Sequence, residues 1–460
     1  MMIRRHLRGA LWALGLLVPA GTGCARFHAA PLHPAQTASA FQARTLRDPN
    51  LRAFLEQHLH HPIDPWPPST WDFEMLVLAA CYDHPDMSIA DSQWQEANGA
   101  IVTAGQRPNP TLSVSPQFVT TVPESISPWV IGPTLDLPVE TAGKRRDRLA
   151  QARHHAQAIG FHRAAVAWQV RSRLRASLLE LDAATQEEAV LDQQMASHDS
   201  YLAFLDERLA SGEISPASFS QTRMAFDRTT VAVREAHRRS LEARLQVAEA
   251  MGVSINALSE IEISSVSLRQ PLSDISLHEI GRQALWRRAD LLESLEEYAS
   301  SEAALQLEIA KQYPDINLGP AYSWDQDVDK WSLGVSMSLP ILNHNQGPIA
   351  EAQGRRAEAA ARFLALQAQV IAEIERAGAA YGAARDILAA ADESLAAQRL
   401  EFRLTEQRLK MGEATIPALL SARAALDTAM VDRLHALIEA QRAFGHMEDA
   451  VQSPLDASRF

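Results

Sequence analysis

Few side chains in this 460-residue chain are spaced for chemistry. Gly143-Lys144-Arg145 carries the Gly-Lys of a phosphate-binding loop. That loop also needs a glycine five residues earlier, where Pro138 stands, and Ser or Thr after the lysine, where Arg145 stands; without both, the backbone cannot cradle a phosphate. His58, His60 and His61 lie in a Pro-rich stretch, and His154–His155 in a helical one. Neighbouring histidines of this kind are mostly solvated and lack the ligand spacing of a zinc site. No nucleophile stands beside a base and no cofactor loop occurs. The expectation is no catalytic residue, no metal site and no cofactor. What does recur is "RLASGE" (208–213) and "RLKMGE" (408–413). Gly212 and Gly412 supply the left-handed residue that ends a helix, and Pro216 and Pro417 begin the next one.

Those turns belong to a chain that is written twice. "WVIGPTLDLPV" (129–139) aligns with "WSLGVSMSLPI" (331–341), "LAQA" (149–152) with "IAEA" (349–352), and "PNPTLSV" (108–114) with "QYPDINL" (312–318). Blocks recurring in one order at a near-constant offset mark a tandem duplication. Each half reads helix, strand, strand, long helix, turn, helix. The first repeat covers 71–253, with strands at 111–119 and 129–138, and the second covers 277–452, with strands at 315–324 and 331–340. Between them, 254–276 reads as a linker; 24–70, rich in Pro and His, reads as an irregular segment, and 453–460 as a tail. The helix expected near 142–210 would be about 100 Å long at 1.5 Å per residue, which suits a coiled coil or an extended tube. The fold class is mainly α with a small β part.

All four strands alternate. Leu112, Val114 and Phe118 oppose Ser113, Ser115 and Gln117, and Trp331, Leu333, Val335 and Met337 oppose Ser332, Gly334 and Ser336. Alternation alone fits a small sheet packed on helices. Three features point to lipid: strands of bilayer-crossing length, aromatics gathered at the hairpin ends (Phe118 and Trp129, Trp324 and Trp331) as in an interfacial girdle, and an opposite face of small hydrophilic residues. Four strands cannot close a barrel, and an open edge in lipid leaves backbone groups unpaired. Three chains would give a twelve-stranded transmembrane β-barrel. A soluble periplasmic coiled-coil scaffold or adaptor is the competing reading, and a metal-binding protein resting on the histidines a third.

The N-terminus addresses the chain for export. Arg4, Arg5 and Arg8 precede the apolar "ALWALGLLVPA" (10–20), so 1–23 reads as a signal peptide. Cys24 after small residues resembles the lipobox of bacterial lipoproteins, with Gly21 where that pattern usually carries Leu. Lipidation at Cys24 is expected, and it leaves Cys81 without a disulfide partner. A formal net charge of −13 argues against a nucleic-acid partner, and no segment is apolar for the length of a membrane helix.

The order of elements, the two "RLxxGE" turns and "PVETAGKR" (138–145) resemble the TolC-like outer-membrane efflux proteins over about 71–452. The resemblance implies a homotrimer with its barrel in the outer-membrane lipid and an α-helical barrel forming a periplasmic tunnel. It implies an exit duct that receives cargo from an inner-membrane efflux transporter through a periplasmic adaptor protein. Arg208, Leu209, Gly212 and Glu213, with Arg408, Leu409, Gly412 and Glu413, would be the adaptor-contact tips. "ETAGKR" (140–145) and "PW" (128–129) are similar to the heavy-metal efflux branch. Such tunnels often narrow at aspartates just past the second tip. Here 414–422 holds no carboxylate, so either Glu413 supplies the charge or this duct has no such ring.

Overall fold

The computed structural model describes residues 25–123, 125–269, 277–325 and 327–455. The expected signal peptide at 1–23, Cys24 and residues 456–460 of the tail lie outside them. The chain divides at Arg44 into two units. Among its described residues the first holds one helix, α1 (Pro34–Gln42), which starts on a proline and buries no side chain.

The second unit opens with α2 (Pro49–Leu59), so the segment expected to be irregular from 24 to 70 contains two helices. The signals were local. Asp48 accepts a hydrogen bond from the Asn50 N–H at 2.9 Å, Pro49 takes the first turn, and Leu51 and Leu55, four apart on one face, are buried. A two-residue strand, β1 (Thr70–Trp71), leads into α3 (Phe73–Asp83) and α4 (Pro85–Gly105). Sequence periodicity predicts one helix over 71–106. It breaks because Pro85 has no N–H and holds His84 extended.

The sheet segments of the first repeat are β2 (Thr111–Val114), β3 (Gln117–Phe118), β4 (Trp129–Ile131) and β5 (Pro133–Val139). Helix α5 (Lys144–Ala210) runs for 67 residues, about 100 Å, and α6 (Pro216–Met251) returns antiparallel to it. The stretch expected as a linker folds as far as it is described. It forms α7 (Ile255–Leu258), β6 (Glu262–Ile263) and a 3-10 turn at Val266–Arg269, with β6 pairing parallel to β1. The second repeat has α8 (Leu277–Arg287), α9 (Ala289–Ala310), β7 (Ile316–Asp325), β8 (Val328–Met337), α10 (Gln346–Lys410) and α11 (Ile416–Val451).

No proline separates α8 from α9. Arg288 is extended there, 5% exposed, and donates to Asp290 at 2.5 Å, Glu373 at 3.1 Å and the Ala450 carbonyl at 2.7 Å. Two of its partners, Glu373 and Ala450, lie 85 and 162 residues away, beyond the reach of local sequence.

Two large cores sit at mid-length of α5 and α10, and a smaller cluster of Leu395, Leu426 and Ala429 lies nearer the second tip. In the first, α2, α3 and β6 pack with Val170, Leu174, Leu178 and Leu179 of α5 and Val247 and Met251 of α6. In the second, α8 packs with Val370, Ile374 and Tyr381 of α10 and Met447 and Val451 of α11. Each fully buried leucine contributes about 1.5–3 kcal/mol, so both collars grip the middle of α5 and α10. Among the described residues no helix is long and apolar enough to cross a membrane.

Candidate functional site

The six long-repeat strand segments form one antiparallel sheet of four staves. The first stave, β2 with β3, pairs with the second, β4 with β5; that pairs with β7, and β7 with β8. The strands expected at 111–119 and 129–138 are each interrupted, at Ser115–Pro116 and at Gly132. The register nevertheless runs through both gaps, for Thr111 faces Asp136 and Phe118 faces Trp129. Pro116 has no N–H to give the ladder. The last stave is displaced from 331–340 to Val328–Met337, because Asp327 (φ 66°) turns the hairpin earlier and Pro340 lies beyond the ladder.

Residues directly opposite in the ladder share a face, so the register sorts every side chain. Leu112 stands with Leu135, Leu137 with Leu318, Ile131 with Trp324, Leu318 with Val335 and Tyr322 with Trp331. The other face collects Ser113 with Thr134, Gly319 with Gly334, Asn317 with Ser336 and Ser323 with Lys330. The apolar face is not laid on the chain's own helices: Leu112, Val114, Phe118, Ile131, Leu333 and Val335 are exposed, and Trp331 is 81% exposed. A continuous apolar surface of this size marks a membrane or a partner.

The four aromatics singled out from sequence lie next to the hairpin loops. Phe118 and Trp129 meet edge to face at 5.1 Å. Trp331 packs at 5.0 Å on Tyr322, a fifth aromatic beside the loops that alternation alone does not single out. Trp324 faces Ile131 and Asp329 across its two ladders. Tyr322 also donates its hydroxyl to Asp329, leaving the ring apolar and its tip hydrated, the character of a residue at a membrane surface.

At the other end of the sheet, "ETAGKR" is a joint. Ala142 and Gly143 both take positive φ. The Thr141 N–H donates to Asp315 at 2.9 Å and its hydroxyl to the Pro314 carbonyl at 2.6 Å; buried Lys144 reaches Asp315 at 2.7 Å. Arg145 donates to the Gly105 carbonyl at 2.6 Å and Arg148 to those of Ala104 at 2.9 Å and Gln106 at 3.1 Å. These cations satisfy the last carbonyls of α4. "NHNQG" does the same service in the second repeat, where Asn345 (φ 60°) donates to the Glu308 carbonyl at 2.7 Å.

The two tips have one geometry. The Glu213 N–H reaches back to the Arg208 carbonyl at 2.9 Å and the Gly212 N–H to that of Leu209 at 3.1 Å, with Gly212 at φ 76°. Glu413, Arg408, Gly412 and Leu409 repeat it at 2.8 and 3.0 Å, with Gly412 at φ 77°. This doubled bond is the Schellman cap. Arg208 pairs with Glu213 at 3.1 Å and lies over Phe204 at 4.7 Å; in the second tip it is Lys410 that pairs, with Glu406 at 2.9 Å. Among the described residues, the adjoining ones aside, nothing lies within 4 Å of where a Cβ on either glycine would stand. The structure thus brings together the residues of each tip, but it holds the two tips on separate hairpins.

The histidines do not converge. His154 contacts Glu296 at 2.7 Å, His58 contacts the Phe54 carbonyl at 2.8 Å and His61 that of Pro62 at 3.2 Å. Among the described residues no three His, Cys, Asp or Glu side chains are placed to hold a metal ion. The arrangement offers surfaces: an apolar face, a hydrophilic face and bare helix ends.

The family description "Outer membrane efflux protein" matches residues 78–253 and 280–447. Among solved structures, the fold is similar to a membrane protein from Pseudomonas aeruginosa at 17% identity and TM-score 0.70, covering 82% of this chain and 92% of that one. It is similar to the outer membrane protein VceC of Vibrio cholerae at 16% identity and TM-score 0.69, covering 84% and 97%. The open state of the MtrE outer membrane channel of Neisseria gonorrhoeae shares 14% identity and a TM-score of 0.65 over 84% and 89%. At these identities the likeness is one of fold. Curated protein sequences gave no match.

Proposed function

The chain belongs to the outer membrane efflux protein family, and from that premise we propose that three copies close its pore and that the cargo is heavy-metal cations. The protein is an outer-membrane exit duct of tripartite efflux systems, with its helical tunnel in the periplasm. The family comprises trimeric channels, not enzymes, that work with an adaptor and an inner-membrane pump.

One observation carries the closure. Among the described residues the four-stave sheet ends on two unpaired edges, the first stave and β8, while its apolar face lies bare. Each unpaired backbone group in lipid costs several kcal/mol, and pairing β8 of one copy with the first stave of the next removes both edges at once. Twelve strands result. The cargo reading is supported by the similarity of Glu140–Arg145 and Pro128–Trp129 to the heavy-metal branch. A strain lacking the gene is expected to tolerate several-fold less of at least one transition-metal cation and unchanged amounts of organic drugs. Sensitivity to organic drugs alone would replace the cargo and leave the duct standing.

The tips are the proposed adaptor contacts, supported by the exposure of Gly212, Glu213, Arg408, Gly412 and Glu413 and by the repetition of a rigid cap on both hairpins. Glu213→Lys combined with Glu413→Lys is expected to abolish resistance and cross-linking to the adaptor while the heat-resistant oligomer persists. Cross-linking at the level of the unaltered protein would remove these residues from the interface. Cys24 is proposed to carry the lipid, which the mass of the mature N-terminal peptide reads directly.

A further inference from the structure

Among the described residues the buried His198 Nδ1 has no hydrogen-bond partner, and beside it Arg423 Nε and Asp427 Oδ1 form an ion pair at 3.0 Å. Buried polar atoms are normally satisfied, so an unpartnered imidazole nitrogen next to a buried ion pair asks what the site is for. All four long helices meet there, a few turns from the tips. His198 of α5 stacks on Phe226 of α6 with ring centres 3.8 Å apart and planes 3° from parallel. On the other hairpin Arg423 of α11 lies over Phe402 of α10 at 5.6 Å and approaches Asp427 at 3.0 Å. Between the two hairpins is a cavity of about 840 Å³ with Ser197, His198 and Phe226 on one side and Phe402, Ser421 and Arg423 on the other.

We propose that this junction is a proton-sensitive latch between the two helical hairpins, closed at neutral pH and released on acidification. The group that takes the proton is His198. The charges acting on it are Asp427 and Arg423 from α11 and Asp199 from its own helix. The side chains of α6 and α10 that line the cavity, Ser218, Gln221, Thr222, Phe226 and Phe402, carry no charge.

The closed junction disfavours the imidazolium. Burial, the largest influence, holds His198 below its ordinary value; Asp427 opposes this, Arg423 adds to it and Asp199 opposes it. An opened, hydrated His198 takes its proton near the ordinary value of about 6.5. The open form therefore binds more protons than the closed one below that pH. The stabilisation of the closed form is complete above about 6.5 and is lost as the pH falls through that range. Asp427 acts with the opposite sign. Burial raises its carboxyl above the usual range, against the pull of Arg423 and His198, so its protonation in acid favours the closed form. The response of the pair is then the difference between two linked groups, which single substitutions separate.

The test is a distance. Spin labels at Ser197→Cys and Ser421→Cys, in a Cys81→Ser background with labelled protomers diluted by unlabelled ones, report the gap between the hairpins. Between pH about 7.5 and about 5.5 the longer-distance population is expected to rise about threefold, short of the roughly tenfold that one proton allows over the unit below the imidazole value because Asp427 opposes it. His198→Phe keeps the stack on Phe226 and cannot be charged, so its longer-distance population should not rise on acidification. Asp427→Asn removes the charge that favours the imidazolium and should enlarge the response; Arg423→Gln should diminish it. An unaltered protein whose distances ignore pH, or a His198→Phe protein that follows the same pH course, overturns the latch, as does the reverse order of the two charge variants.

Discussion

Gly132→Val is expected to leave the outer membrane without the heat-resistant oligomer of this protein. Gly132 stands at the gap between β4 and β5, where the second stave passes closest to the third. A Cβ there would lie 2.4 Å from the Tyr322 carbonyl oxygen and 2.9 Å from Ser323 Cα. Both are backbone atoms of β7, so no side chain can swing aside. The strands must part, and parting them breaks the ladder that joins the two repeats into one sheet, since β7 pairs with both segments of the second stave. Overpacking of this kind costs about 1–3 kcal/mol in a soluble core. Here the lost hydrogen bonds would also face lipid, and the defect repeats in every copy of a closed barrel. Gly132→Ala should give a weaker oligomer that dissociates at lower temperature. Gly334→Ala is the control: Gly319 and Gly334 also face each other, but a Cβ on Gly334 comes no nearer than 3.5 Å to the Gly319 carbonyl. Semi-denaturing gels of outer-membrane fractions read all three. A Gly132→Val protein with unaltered mobility would mean that the second and third staves are not neighbours at this register.

What could be read from sequence was what neighbours along the chain decide. The caps at Gly212 and Gly412 were legible because a left-handed glycine and a following proline make a helix end without outside help. The two faces of the sheet were legible because a period of two survives the breaks at Pro116 and Gly132. The helix at Pro49–Leu59 is equally local, set by Asp48-Pro49 and the Leu51–Leu55 pair, but the Pro and His content around it reads as irregular chain. Arg288 is different in kind. Its extended backbone divides α8 from α9 through contacts with Glu373 and Ala450, and no local pattern announces a helix break set by a side chain. The role of Arg145 and Arg148 in closing the end of α4 was likewise hidden, since a run of arginines reads as a solvated face until its acceptors are known.

The deepest such contact is expected to matter most for stability. Glu448 on α11 is 2% exposed. It receives Arg171 at 3.3 Å and Arg175 at 3.2 Å from α5, and its Oε1 accepts the Leu455 N–H at 3.0 Å. One carboxylate thus ties the long helix of the first repeat to the return helix of the second and holds the chain's last described residue. Glu448→Ala leaves two arginines without their counter-charge, one of them buried with a side-chain exposure of 8%. Breaking such a cluster from one side costs about 3–5 kcal/mol. Arg171 keeps some partners, lying over Trp168 at 4.6 Å and Phe73 at 5.1 Å, and Arg175 keeps the Gln441 carbonyl at 3.1 Å. Arg175 is therefore the half of the cluster whose loss should couple most strongly to Glu448. In a double-mutant cycle with Arg175→Met and Glu448→Met, the pair should lose clearly less than the sum of the singles, because removing both charges leaves neither stranded. Gly445→Ala reaches the same cluster sterically, since a Cβ there would stand 2.1 Å from Arg175 Nη1, and it should destabilise only while Arg175 is present. Denaturant unfolding of the purified protein measures each step. Additive losses in the cycle, or a Gly445→Ala cost that survives Arg175→Met, would show that the two repeats are held together elsewhere.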